Sequence, residues 1–89
     1  MSNHKLNTWP TYWDAMESGD KTFEVRRNDR GFQKGDTIEL IRLLRDESTA
    51  PYATGYEPLR FRITYVLQGG QFGIDAGFCV LGLSKEPTP

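Results

Sequence analysis

The feature that most restricts how this chain folds is an abrupt change of period at Gly19. Ahead of it, Trp9, Tyr12, Trp13 and Met16 fall at i, i+3, i+4 and i+7, one apolar stripe of a short helix. Pro10 suits the first helical position, Thr8 or Thr11 is placed to cap the start, and Gly19 suits a left-handed stop. Past it, Lys21–Arg27 alternates with period two, Phe23 and Val25 on one face and Glu24 and Arg26 on the other, as a strand does. A helix that turns straight into a strand must pack against the sheet that strand joins. Tyr12, Trp13 and Met16 are therefore expected in the core, while Trp9, at the helix start, is placed for either packing or stacking on a ligand.

The rest of the chain reads as short strands between turns. Leu6 marks a candidate first strand ahead of the helix. Asn28–Gly31 and Lys34–Asp36 carry turn residues. Thr37–Leu44 has apolar residues in both phases, which predicts a bulge or a strand covered on both faces. Leu59–Leu67 alternates, predicting Leu59, Phe61, Ile63, Tyr65 and Leu67 inward. Phe78–Leu83 is a closing strand, reached through the glycine-rich Gly69–Gly73 loop and a turn at Asp75–Gly77. Asp46–Glu57 has no periodicity and is expected to be an exposed, mobile loop. One helix and four or five strands in 89 residues make one α+β domain over residues 1–84, a small barrel with the helix at one opening, and residues 85–89 read as a disordered polar tail.

Composition excludes several classes. The lone Cys79 rules out an internal disulfide and, inside the run Phe78–Leu81, reads as a buried thiol. No cluster has metal-ligand spacing, so neither metal nor cofactor is expected. No apolar segment is long enough to cross a bilayer and none resembles a leader, which predicts a soluble cytoplasmic protein. Net charge is −1, yet Lys21, Arg26, Arg27, Arg30 and Lys34 face only Glu24 and Asp29 within Lys21–Lys34, leaving that stretch at +3.

Lys21, Glu24 and Arg26 converge where helix becomes strand. Charges brought this close either pair as surface ions, contributing about 0–1 kcal/mol, or line a wet recess. The segment Gly19-x-Lys21-x-x-Glu24-x-Arg26 resembles the G-x-K-x-x-E-x-R signature of ASCH domains, a branch of the PUA-like superfamily. The likeness extends through His4-Lys5-Leu6, Trp9-Pro10-x-Tyr12, Arg26-x-Asn28-Asp29-Arg30-x-Phe32, Gly35-Asp36, Thr64–Leu67 and Gly70–Gly73, over roughly residues 4–83. It looks like the small stand-alone ASCH-like proteins of bacteria and phages. The resemblance implies a PUA-like β-barrel with a cleft beside the helix, where Lys21, Glu24 and Arg26 meet RNA or a nucleotide. One enzymatic branch deacylates N4-acetylcytidine with a threonine where this chain has Glu24; another, described as ribonucleolytic, uses the motif lysine, matched by Lys21.

Three functions follow. As a binding domain, the chain would place Lys21, Arg26, Arg27 and Arg30 on phosphate, Glu24 on a base amino group and Trp9 in a stack, with His4, Gln71 and Phe72 nearby. As a hydrolase of a modified nucleobase or RNA, it would use Lys21 and Glu24 as an acid/base pair, with His4 a candidate base. As an interaction module it would offer the acidic Asp46–Glu57 loop to a protein partner.

Overall fold

In the computed structural model, which describes residues 1–86, a single helix accompanies five strands. These are β1 (Asn3–Thr8), α1 (Pro10–Ser18), β2 (Phe23–Arg27), β3 (Thr37–Arg42), β4 (Leu59–Gln68) and β5 (Phe78–Lys85). The strands form one curled, half-barrel sheet in the order β1-β3-β4-β5-β2. Only the β1–β3 pair is parallel. The fold is thus α+β with a barrel-like sheet, and β1 and β2, joined through α1, are its two free edges.

The helix runs as its spacing predicts, but its stripe divides. Trp13 and Met16 are buried, and the Trp13 indole N–H donates to the Leu40 carbonyl of β3 at 2.9 Å. Tyr12, expected inside, is 47% exposed and stacks on Trp9 at 6.0 Å between ring centroids. A nine-residue helix turns too narrow a face toward one strand to cover all four positions. Neither Thr8 nor Thr11 caps the helix. Trp9 is the N-cap residue and makes no side-chain cap, while the Thr11 amide and hydroxyl both donate to the Asp46 carboxylate, so one orphan donor, the Thr11 N–H, is met from the later loop. Gly19 ends the helix at φ 88°, as expected.

Core residues come from every strand but β2: Leu6, Ile38, Leu40, Phe61, Ile63, Cys79, Leu81 and Leu83 join Trp13, Met16 and Phe32. The mixed phase of β3 reflects burial on both faces, since Ile38, Glu39 and Leu40 are all covered; it carries no bulge. The bulge lies in β4 instead. Register shifts between Ile63 and Tyr65, Thr64 is the extra residue, and everything after it changes face. Tyr65 is consequently 63% exposed and Val66 packs against the core, correcting the inward placement of Tyr65 and Leu67.

Two other segments are more ordered than their composition suggested. Asp46–Glu57 is mostly exposed but tied down: Leu44 donates to the Pro51 carbonyl, Ala53 to the Arg42 carbonyl, and Leu43 and Tyr52 form a β-bridge. Arg42 reinforces this, gripping Asp14 of the helix through two bonds of 3.0 and 3.1 Å while lying 4.2 Å from the Tyr56 ring. At the C-terminus β5 continues through Ser84 and Lys85, and the Glu86 amide donates to the Arg60 carbonyl. Lys85 and Glu86, read as part of a disordered tail, thus continue the sheet, and residues 87–89 lie outside the described residues. No helix is long and apolar enough to cross a membrane.

A cationic, aromatic-lined cleft

The two sheet edges do not meet. In β2 the alternation is as the sequence suggests, but Phe23 and Val25 face solvent and Glu24 turns inward, only 4% exposed. An isolated carboxylate at that depth is expensive. Here both of its oxygens are occupied: Lys21 Nζ lies 2.5 Å from Oε1 and Arg26 Nε 3.0 Å from Oε2. The Lys21 ammonium also donates to the Phe23 carbonyl and sits 4.9 Å from the Phe23 ring and 5.3 Å from the Tyr12 ring.

Arg26 then crosses the gap. Its remaining nitrogens donate to the Asn7 carbonyl and the Thr8 hydroxyl of β1, both at 3.1 Å. Arg30 makes a second crossing, to the Lys5 carbonyl at 2.9 Å. Each atom of the Glu24 carboxylate and every nitrogen of Arg26 therefore has a protein partner. The ionic trio, two cations on one buried carboxylate, is spent as a staple between the two edges.

In front of the staple opens a cleft of about 830 Å³. Lys5, Asn7 and Thr8 of β1 form one wall and Glu24–Arg27 of β2 the other. Trp9 and Tyr12 stand at the helix start, Phe78 on β5, and Ser48 and Tyr52 reach in from the tied loop. Four cationic side chains, Lys5, Arg26, Arg27 and Arg30, face one carboxylate, Glu24. Arg26 is committed internally, which leaves Lys5, Arg27 and the Nη2 of Arg30 for a ligand, since Arg30 Nη1 is on the Lys5 carbonyl and its Nε lies 4.0 Å from Asp29. Arg27 has no acidic partner among the described residues and rests 5.1 Å from the Phe78 ring. Cationic groups interleaved with aromatic ones, in a recess of this volume, suit a small anionic ligand with a flat apolar part.

The other candidates are placed elsewhere. Lys21 lies behind Glu24 and does not line the cleft, nor do Gln71 and Phe72. Gln71 ties to the Gln68 carbonyl, and Phe72, at φ 54° and 82% exposed, is the tip of a tight β4–β5 connection. His4 bonds Asp36 at 3.0 Å and packs on the edge of Phe32. The hydrogen bond from His4, helped by the Ser2 and Gln33 amides, holds the Asp36 carboxyl below its ordinary value although burial pushes it up. This is a structural anchor for the chain's first residues. Cys79 is fully buried, and that burial raises its thiol pKa. Arg60 and Arg62, a second basic spot in the sequence, are paired with Glu39 and Glu86. Among the described residues, no three metal-binding side chains cluster.

The spacing of residues did not single out Lys5, Asn7 or Tyr52, and it assigned Tyr12 to the core. Lys5 and Asn7 belong to a strand too short to register alone, and Tyr52 to a loop without periodicity.

Fold and cleft together define a small α+β domain whose curled sheet leaves a basic, aromatic-lined seam between its edge strands. The chain belongs to the family described as a domain of unknown function, DUF3850, which matches residues 3–83. No curated protein matches the chain.

Proposed function

We propose that this chain is an ASCH-like domain of the PUA-like superfamily and that its cleft binds a nucleotide or a single strand of RNA in the cytoplasm. The observation that carries this reading is the pairing of chemistries on the seam. Lys5, Arg27 and Arg30 are available to phosphate, and Trp9, Tyr12 and Tyr52 offer ring faces to a base. The G-x-K-x-x-E-x-R signature supports the same assignment, with a changed division of labour. Lys21, Glu24 and Arg26 hold the walls, and the ligand meets their neighbours.

A fluorescence-anisotropy titration of short single-stranded RNA at about 50 and 200 mM salt tests it. Affinity should fall with salt, and Lys5→Ala or Arg27→Ala should each reduce the slope by roughly 0.7 for one lost phosphate contact. Affinity that is the same at both salt concentrations would overturn the proposal, as would slopes unchanged by both substitutions.

A further inference from the structure

We infer that the cleft reads an unpaired nucleobase through the main chain of Val25, an inference that rests on the nucleotide-binding reading above. The pairing of β2 with β5 fixes which peptide groups point where. Asn28 donates to the Gly77 carbonyl and Leu83 to the Thr22 carbonyl, in the same register that sets Glu24 against Leu81 and Arg26 against Cys79. Even-numbered residues of β2 therefore spend their N–H and C=O on β5. Those of Phe23, Val25 and Arg27 point the other way, toward the open seam.

Two of these three are engaged. The Phe23 carbonyl accepts from Lys21 Nζ and the Arg27 carbonyl from the Asp29 amide. Val25, which lines the cleft, keeps both its N–H and its C=O free of protein partners among the described residues. On the facing edge the carbonyls of Lys5 and Asn7 are occupied by Arg30 and Arg26. Within the seam, Val25 is thus the place where a donor and an acceptor stand side by side on one edge.

A nucleobase carries the matching arrangement on its Watson–Crick edge. Uracil would accept from the Val25 N–H through a ring carbonyl and return its N3–H to the Val25 C=O. The cationic groups beside the site match a phosphate attached to that base, and Trp9 and Tyr52 line the same cleft. Such a base must be unpaired, because a duplex has already used that edge. Recognition by a single main-chain pair favours single strands strongly and discriminates weakly among bases.

The test uses the full chain and three hexanucleotides: hexauridylate, the same strand carrying 3-methyluridine, and one carrying 5-methyluridine. The 3-methyl group removes the N3–H and occupies the edge; the 5-methyl group does neither. The expected result is binding of the 5-methyl strand within about twofold of the parent and at least roughly tenfold weaker binding of the 3-methyl strand, a loss in the range for one hydrogen-bonded pair left unmade. The Val25 amide resonance should shift with the parent and not with the 3-methyl strand. Equal binding of parent and 3-methyl strands overturns this inference and leaves the nucleotide-binding reading intact. Failure of all three strands to bind overturns both. Val25→Pro deletes the donor without removing a ladder bond, since that N–H faces the seam. The folded variant should lose affinity for the parent strand. If Val25→Pro does not fold, the methylated strands decide alone.

Discussion

Arg26 of β2 donates to the Asn7 carbonyl of β1 at 3.1 Å, so a side chain makes the link that a sixth strand would make in a closed barrel. The same guanidinium pairs with buried Glu24, which ties closure of the sheet to charge balance inside it. Residues that resemble a binding motif form, by their geometry, a frame between the two edge strands.

Arg26 and Arg27 should therefore separate cleanly. Arg26→Ala leaves a buried carboxylate with only Lys21 for a partner and should lower stability by about 2–4 kcal/mol in urea unfolding. Arg27→Ala should stay within about 1 kcal/mol of the parent. If the two variants unfold at the same urea concentration, the frame assignment is wrong.

Trp9 is 37% exposed at the mouth of the cleft, and its side chain makes no cap hydrogen bond. Trp9→Ala should weaken RNA binding by about 1–3 kcal/mol, the usual value of one stacked base, with little change in unfolding midpoint. A large loss of stability without loss of affinity would return Trp9 to the core.

Asp36 gives the fold an acid limit. Its folded-state pKa is depressed below 3.8, chiefly by the His4 hydrogen bond, so its contribution is fully present above that value and is lost as pH falls through the lower folded value. Asp36→Asn should cost roughly 1–3 kcal/mol at neutral pH, and the gap from the parent should narrow as pH drops below 3.8. A gap constant down to strongly acidic pH would contradict the assignment.

The loop latch predicts a local effect. With Arg42→Met, the loss of the Asp14 grip and the Tyr56 contact should speed hydrogen exchange at the Ala53 amide by roughly twofold to fivefold, in keeping with ~0.5–1 kcal/mol for a partly exposed cation–π contact. Exchange in β4 and β5 should not change. A uniform acceleration would mean that Arg42 supports the whole fold.

Two glycines of one loop should differ. A Cβ on Gly69 would drive into the backbone oxygens of Asp75 and Phe78, whereas one on Gly73, at φ 78°, would meet nothing within 4 Å. Gly69→Ala should cost about 3 kcal/mol or more and Gly73→Ala about 1–2, the strain of the left-handed conformation alone. Equal unfolding midpoints would show that the loop relaxes around the added methyl.

The elements themselves were legible because their causes are local. Pro10, Gly19 and the spacing of Trp13 and Met16 mark the helix without reference to anything distant. Orientation was less legible. That Val25 faces out and Glu24 in depends on β2 being an edge strand, which only the pairing with β5 reveals. The face change at Tyr65 depends on one extra residue, Thr64, in an otherwise regular alternation. Part of the site was visible in Arg27, Arg30 and Trp9; Lys5, Asn7 and Tyr52 join it only when β1 and the loop after β3 are brought to the seam. The charged trio was found from its spacing, but not its internal pairing, because periodicity reports which side chains share a face and not which atoms they satisfy.

The Asp46 carboxylate at the start of the helix also fixes how the domain responds to cuts. Since Thr11 donates its hydrogen bonds to a residue thirty-five positions later in the chain, the loop cannot be trimmed as a passive connector. Shortening it past Asp46 would uncap the helix and withdraw Tyr52 from the recess together, so surface turns elsewhere, such as the one at Gly73, are the better places to graft or splice.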